Sequence, residues 1–265
     1  MAPVAGPPFA ARLRAWRQRR RLSQLDLSLE AGCSQRHLSC LESGKALPSQ
    51  AMVLRLGRAL EVPLRERNAW LLAAGFAPVY GERPLDDPEM AQVQSAVCLL
   101  LESQAPCPAV AVDRAWNVVV ANAPWERLAA LLGEDLWARV GGTQRNLLRL
   151  TFHPEGLRPL VANWAEVAPG LWQRACQEAA QGREELQALI AELLPHQDRA
   201  LLGRPPEAPL LPVLPLVLAL GDLRLAFFGL VSTFGTAQDI TTDELRIETL
   251  CPADAVTRTF LGLGD

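Results

Sequence analysis

The chain has 265 residues, 49% of them apolar, and a formal net charge of −3. That length suits about two domains, and that apolar content excludes a wholly disordered chain. The charge is an average over two unlike regions: residues 1–80 hold 12 Lys+Arg against 5 Asp+Glu, and the remainder is strongly acidic. A basic front end joined to an acidic back end predicts that only the front end meets a polyanion.

Taken in order, Met1–Pro8 lacks the basic start of a secretory signal and leads into an arginine-rich helix over 12–21, with Leu13 and Trp16 on one face. Ser23 caps a second helix, Gln24–Ala31, which Gly32 ends. Ser34 caps a third, Gln35–Ser43, which Gly44 ends. Pro48 and Ser49 open a fourth helix to about Leu60, and Pro63 a fifth to about Ala74. Five short helices with brief connections predict an all-α domain within residues 1–80.

Gly81–Pro88 has the proline, glycine and charge content of a linker. A helix follows over 88–103. Pro108–Asp113 and Asn117–Asn122 read as strands joined by a turn at Arg114–Trp116, and helices are expected over 123–132, 158–181 and 183–194. Leu210–Leu220 and Arg224–Phe234 read as a hairpin about Gly221-Asp222. Arg246–Leu250 is a further strand, and Ala253–Leu261 the last helix. Residues 89–265 are therefore expected to be an α+β domain with an antiparallel sheet. Arg224–Phe234 is apolar on both faces, which calls for cover on both sides.

The front end has the parts of a helix-turn-helix. Leu27, Ala31, Leu38 and Leu41 supply an inner surface, Ser28 and Cys33 allow close approach, and Gly32 makes the turn. Ser34, Gln35, Arg36 and Ser39 lie at the start of the third helix, where side chains reach base edges. Glutamine suits adenine there, and arginine suits guanine. Gln24 at the start of the second helix, Arg20 and Lys45 are candidate phosphate contacts. A reading in which these residues are only the solvated face of a bundle must leave the local net charge of +7 unexplained.

The stretch SQLDLSLEAGCSQRHLSCLESGKALPS resembles the helix-turn-helix of lambda-repressor/XRE-type bacterial regulators, over about residues 9–78. It departs from the usual pattern at Ser28 and Cys33, where alanine and valine are commoner, and neither blocks the packing. AVAVDRAWNVVVANAPWERL, NLLRLTFHPEGLRPLVANW and STFGTAQDITTDELRIETLCPAD, in this order, resemble the MmyB-like regulators over about 86–261. That resemblance implies a PAS-like ligand-binding domain and, for some members, a fatty-acid-like ligand.

A cavity for such a molecule would be mostly apolar with a few polar anchors. The candidates are Trp116, Val118, Val120, Leu128, Leu131, Phe152, Trp164, Leu171, Trp172, Phe227, Phe228 and Phe234, with Asn117, Asn122, Asn146, Arg149, His153 or Arg174 as anchors. Any one of the apolar residues is more simply read as core. The residues also leave open a second domain that docks a protein partner and holds no ligand.

Catalysis is not expected. The three histidines are dispersed, and no GxSxG, GxGxxG, HExxH or P-loop occurs. The six cysteines form no CxxC pair, so no metal site and no cofactor is expected, and the cysteines are read as reduced. The apolar run 209–220 is too short and proline-rich to cross a bilayer. The expectation is a cytoplasmic regulator that binds double-stranded operator DNA as a homodimer, senses a small apolar or acyl ligand and has no membrane partner.

Overall fold

The computed structural model describes residues 8–133, 135–180, 183–203 and 212–264. It opens with five helices: α1 (Phe9–Arg19), α2 (Gln24–Glu30), α3 (Gln35–Glu42), α4 (Gln50–Ala59) and α5 (Leu64–Ala73). Then come α6 (Ala91–Ser103), β1 (Ala109–Val112), β2 (Val118–Ala121), α7 (Ala123–Leu132), α8 (Leu136–Val140), α9 (Leu147–Phe152), α10 (Trp164–Ala179), α11 (Glu184–Leu193) and α12 (Arg199–Leu202). The chain closes with β3 (Leu216–Leu220), β4 (Leu223–Thr233), α13 (Ile240–Glu244), β5 (Arg246–Pro252) and α14 (Ala255–Phe260). It divides into two compact units: residues up to Pro84 together with Gly235–Asp243, and Leu85–Phe234 together with Glu244–Asp265.

In the first unit the predicted caps form. The hydroxyls of Ser23, Ser34 and Ser49 accept from the amides of Asp26, His37 and Met52. Asp26 returns a bond to the Ser23 amide, which completes a capping box. Gly32 takes φ +60 after α2, a conformation that costs an L-residue with a side chain and that glycine adopts freely. Leu13, Leu27, Leu38, Leu41, Leu56 and Trp70 form the fully buried centre.

One piece of this unit comes from far along the chain. Proline cannot cap α5, since Pro63 lacks a side-chain acceptor. Asp243, from the segment between β4 and β5, accepts from the Leu64 amide at 3.0 Å instead. In the same segment Asp239 pairs with Arg83 Nη1 at 2.9 Å, and the Ile240 amide donates to the Gly81 carbonyl at 2.8 Å. Glu82 pairs with Arg65. Gly81, Glu82 and Arg83, in the stretch read as a linker, are thus fastened to the first unit.

The second unit is built on a five-stranded antiparallel sheet in the order β2-β1-β5-β4-β3. One face carries the larger core, in which Val110 and Val112 of β1 meet Trp125, Leu148, Phe152 and Trp172 from α7, α9 and α10. The other face packs Ala109, Ala111 and Ile247 against Val97 and Leu101 of α6. Gly221, at φ +61, turns the β3–β4 hairpin.

Three expectations need correction. The helix predicted over 158–181 begins only at Trp164, because Val161–Asn163 is drawn to the edge of β3. There Asn163 bonds the Pro215 carbonyl and the Val217 amide, and the Ala162 amide donates to the Val217 carbonyl. Gln181 lies outside the described residues, as do Leu210 and Leu211 of the predicted strand, which in its described part starts at Leu216. Finally, β4 is covered over only its first half. Leu225, Ala226 and Phe227 are buried, but β3 pairs no further than Phe227, and Leu230 and Val231 beyond it are 50% and 46% exposed.

Candidate functional site

Two regions carry chemistry, one in each unit. In the first, α3 is held by a single buried carboxylate. Glu42 sits on its inner face with a side chain 1% exposed. Arg17 of α1 grips it with two bonds, Nε at 2.6 Å and Nη2 at 2.9 Å. Gln24 of α2 donates to it at 2.8 Å, and Arg14 bonds its backbone carbonyl. One side chain therefore ties three helices, and a bidentate Arg–carboxylate pair fixes direction as well as distance. Burial alone would raise the Glu42 carboxyl, but the bonds from Arg17 and Gln24 and the charges of Arg17 and Arg14 hold it below its ordinary value.

With that inner face anchored, Ser34, Gln35, Arg36 and Ser39 stand exposed on the outer face, and Lys45 is exposed beyond Gly44. Ser34 spends its hydroxyl on the α3 cap. Two of the sequence candidates are placed differently. The Gln24 amide nitrogen is committed to Glu42, because the buried carboxylate needs a further donor. Arg20 bonds the Leu60 carbonyl and pairs with Glu61, which neutralises its charge within the unit. Sequence reading missed Glu42. Its only trace is an acidic residue on the apolar side of an amphipathic helix.

In the second unit the apolar candidates divide between the two faces of the sheet. Trp116, Val118, Phe152, Trp164 and Trp172 join the larger core. Phe152 lies between the two other rings, edge-on to Trp164 at 5.2 Å and to Trp172 at 5.0 Å. Phe227 borders this group with Leu128, Trp164 and Leu171. Val120 and Phe234 pack with α6 on the opposite face. Phe228 falls on that face too, since it alternates with Phe227 along β4. A register shift between Ala111 and Val112 breaks the β1–β2 alternation, so the twelve cannot line one cavity. Leu131 is exposed.

The polar candidates serve as caps, turn bonds and ion pairs. Asn122 caps α7 and Asn146 caps α9, while Asn117 bonds Asp113 and Asn146. Arg149 pairs with Glu192, and His153 accepts from the Glu155 amide.

Arg174 belongs to a charged cluster whose centre the sequence did not reveal. Glu178 Oε2 accepts from Arg246 Nη1 at 2.6 Å, Arg183 Nη1 at 3.0 Å and Trp116 Nε1 at 3.0 Å. Arg174 bridges Glu178 Oε1 and Glu248 Oε1. The Arg174 and Arg246 guanidinium carbons lie 5.0 and 4.3 Å from the Trp116 ring centroid, within cation–π range. Burial would raise Glu178, yet Arg246, Arg174 and Arg183 together hold it below the usual carboxylate range. Burial and the neighbouring Arg246 and Arg114 charges lower Arg183, against the pull of Glu178 and Glu244.

Four arginines (114, 174, 183, 246) and three glutamates (178, 244, 248) are linked by ion pairs. The buried Nη2 of Arg246 has no hydrogen-bond acceptor among the described residues. Trp116 itself holds φ +70, a strained conformation for a bulky side chain, of a kind that collects at functional sites. The cluster was hidden because Arg246 and Glu248 alternate along β5 as exposed charges would.

Among the described residues no group of His, Cys, Asp and Glu could hold a metal ion, and no helix is long and apolar enough to cross a membrane. Residues 8–70 match the model of a helix-turn-helix domain. Residues 93–263 match that of the MmyB-like transcription regulator ligand binding domain. No curated protein matches the chain.

Proposed function

The chain belongs to the MmyB-like transcription regulators, and on that basis we propose that it reads operator DNA through α3 and responds to a small apolar or fatty-acid-like ligand held in its second unit. The observation that carries the DNA half is the outer face of α3. Gln35, Arg36 and Ser39 are exposed there on a helix locked from behind by Glu42, and the region around them is basic. Gln35 and Arg36 would read base edges, while Lys45 and the exposed backbone of the unit would meet phosphate. One such helix contacts few bases, so the reading includes a homodimer on two half-sites about one helical turn apart. Its setting is the cytoplasm, and no catalytic step is assigned to it.

The ligand half rests on the aromatic group Phe152, Trp164 and Trp172 and on the arginine-rich cluster around Glu178. An acidic end group is favoured there by the buried Arg246 nitrogen that has no acceptor among the described residues. The ligand alters DNA affinity only as far as it binds the DNA-competent arrangement more tightly than the other.

Mass spectrometry of the protein under native and denaturing conditions tests this half, with decanoic to hexadecanoic acids as added probes. A bound acid is expected in the native spectrum and free after denaturation. Excess probe at about 100 times its Kd should stabilise the fold by about 2.7 kcal/mol. A protein that is ligand-free as purified, and that none of these acids stabilises, would sink the acyl reading.

A further inference from the structure

We propose that Cys107 and Cys251 are a redox pair that closes into a reversible disulfide between the turn before β1 and the end of β5. Dispersed in the sequence, the two are brought together by sheet register. Ala109 lies opposite Thr249, and the Leu250 amide donates to the Pro108 carbonyl at 2.8 Å, which carries the pairing one step further out. Continued one residue further, the same register brings Cys107, in the turn before β1, opposite Cys251.

The type of that pair follows from the hydrogen bond. Opposed residues in an antiparallel ladder alternate between hydrogen-bonded and non-hydrogen-bonded pairs. Pro108 and Leu250 make the hydrogen-bonded one, so the continued register puts the cysteines in the closer class, for which Cα atoms lie about 4.5 Å apart in a regular ladder. That is inside the range of about 4.4–6.8 Å that a disulfide spans. Opposed residues also project to the same side of the sheet. Both thiols are free and half-buried, so a small molecule can reach them. Burial holds both thiols above the ordinary cysteine value, which keeps the thiolate fraction small and the exchange slow.

The oxidant required is a low-molecular-weight disulfide of the glutathione class. The Cys251 thiolate attacks one of its sulfurs, the S–S bond breaks, and one small thiol leaves. The Cys107 thiolate then attacks the protein-side sulfur of the mixed disulfide and releases the second small thiol. The two cysteine protons end on the two released thiols. Two protein thiols are oxidised and one small disulfide is reduced.

To test this, full-length protein is equilibrated in buffers of reduced and oxidised glutathione, quenched in acid, alkylated and digested without reduction. A peptide pair joined through Cys107 and Cys251 is expected to grow as the buffer becomes more oxidising, and to vanish on reduction with dithiothreitol. The oxidised protein should run as a monomer on a non-reducing gel and melt at a higher temperature than the reduced one. Cys107→Ser and Cys251→Ser should each abolish the joined peptide. Should a serine variant fail to fold, the wild-type digest still decides. Complete alkylation of both cysteines in the most oxidising buffer, or glutathione adducts that never close, would overturn the proposal.

Discussion

Replacing Glu42 by alanine is expected to destabilise the first unit by about 3–5 kcal/mol, the cost of removing one partner of a buried ion pair. The figure is high because the truncation strands more than one group. Arg17, with a side chain only 14% exposed, loses both of its carboxylate bonds, and the Gln24 amide loses its acceptor. Glu42→Gln should lose less, since an amide oxygen can still accept. Hydrogen exchange at the amides of Leu38 and Leu41 is the readout, because it isolates this unit from the second. A loss below about 1 kcal/mol, the usual worth of an exposed pair, would contradict the burial argument.

The same carboxylate makes an acid prediction. Its folded-state pKa lies below the ordinary glutamate value, so the folded form binds its proton less readily than the unfolded chain does. Its stabilisation is complete above the ordinary value and disappears as pH falls through the lowered one. Wild type and Glu42→Gln should therefore converge in stability in strong acid, separate as pH rises through the lowered value, and differ by a constant amount above about 4.3.

Phe152→Ala is the second large effect, with an expected loss of about 3–5 kcal/mol in the second unit. Phe152 is fully buried and meets Trp164 and Trp172 edge-on, so truncation opens a cavity walled by two indoles. Indole fluorescence during urea unfolding reports the loss. Benzene, which fits an apolar cavity of that kind, should recover part of it. A loss under about 1 kcal/mol without benzene rescue would show that the three rings are not close-packed.

The first unit was largely legible in the sequence, because its signals are local. Ser23, Ser34 and Ser49 each cap the helix beside them, Gly32 makes the turn, and Leu27, Ala31, Leu38 and Leu41 have helical spacing. Sequence reasoning failed where partners are distant. Nothing near Pro63 tells that Asp243 will bond the first amide of α5, 179 residues away. Nothing near Arg246 tells that Glu178 will neutralise it. Short helices such as α8 and α9 also escaped, since one or two turns hold too few residues for a hydrophobic period to register. Of the apolar candidates of the second unit, Trp116, Leu128, Phe152, Trp172 and Phe227 are buried, and Leu131 is exposed. That Val118 and Val120 join opposite faces of the sheet depended on the register shift at Ala111/Val112, which no local pattern records.

Selection of bound sequences from a random pool of double-stranded DNA by the full-length protein tests the central claim most directly. Wild type should enrich one motif with two half-sites about one helical turn apart. Gln35→Ala and Arg36→Ala should lose preference at particular positions, each by about 1–3 kcal/mol. Lys45→Ala should keep the motif, bind every sequence more weakly and reduce the salt slope by about 1. No enriched motif for wild type, or equal losses on selected and random DNA from all three variants, would contradict the assignment of α3 as the helix that reads DNA.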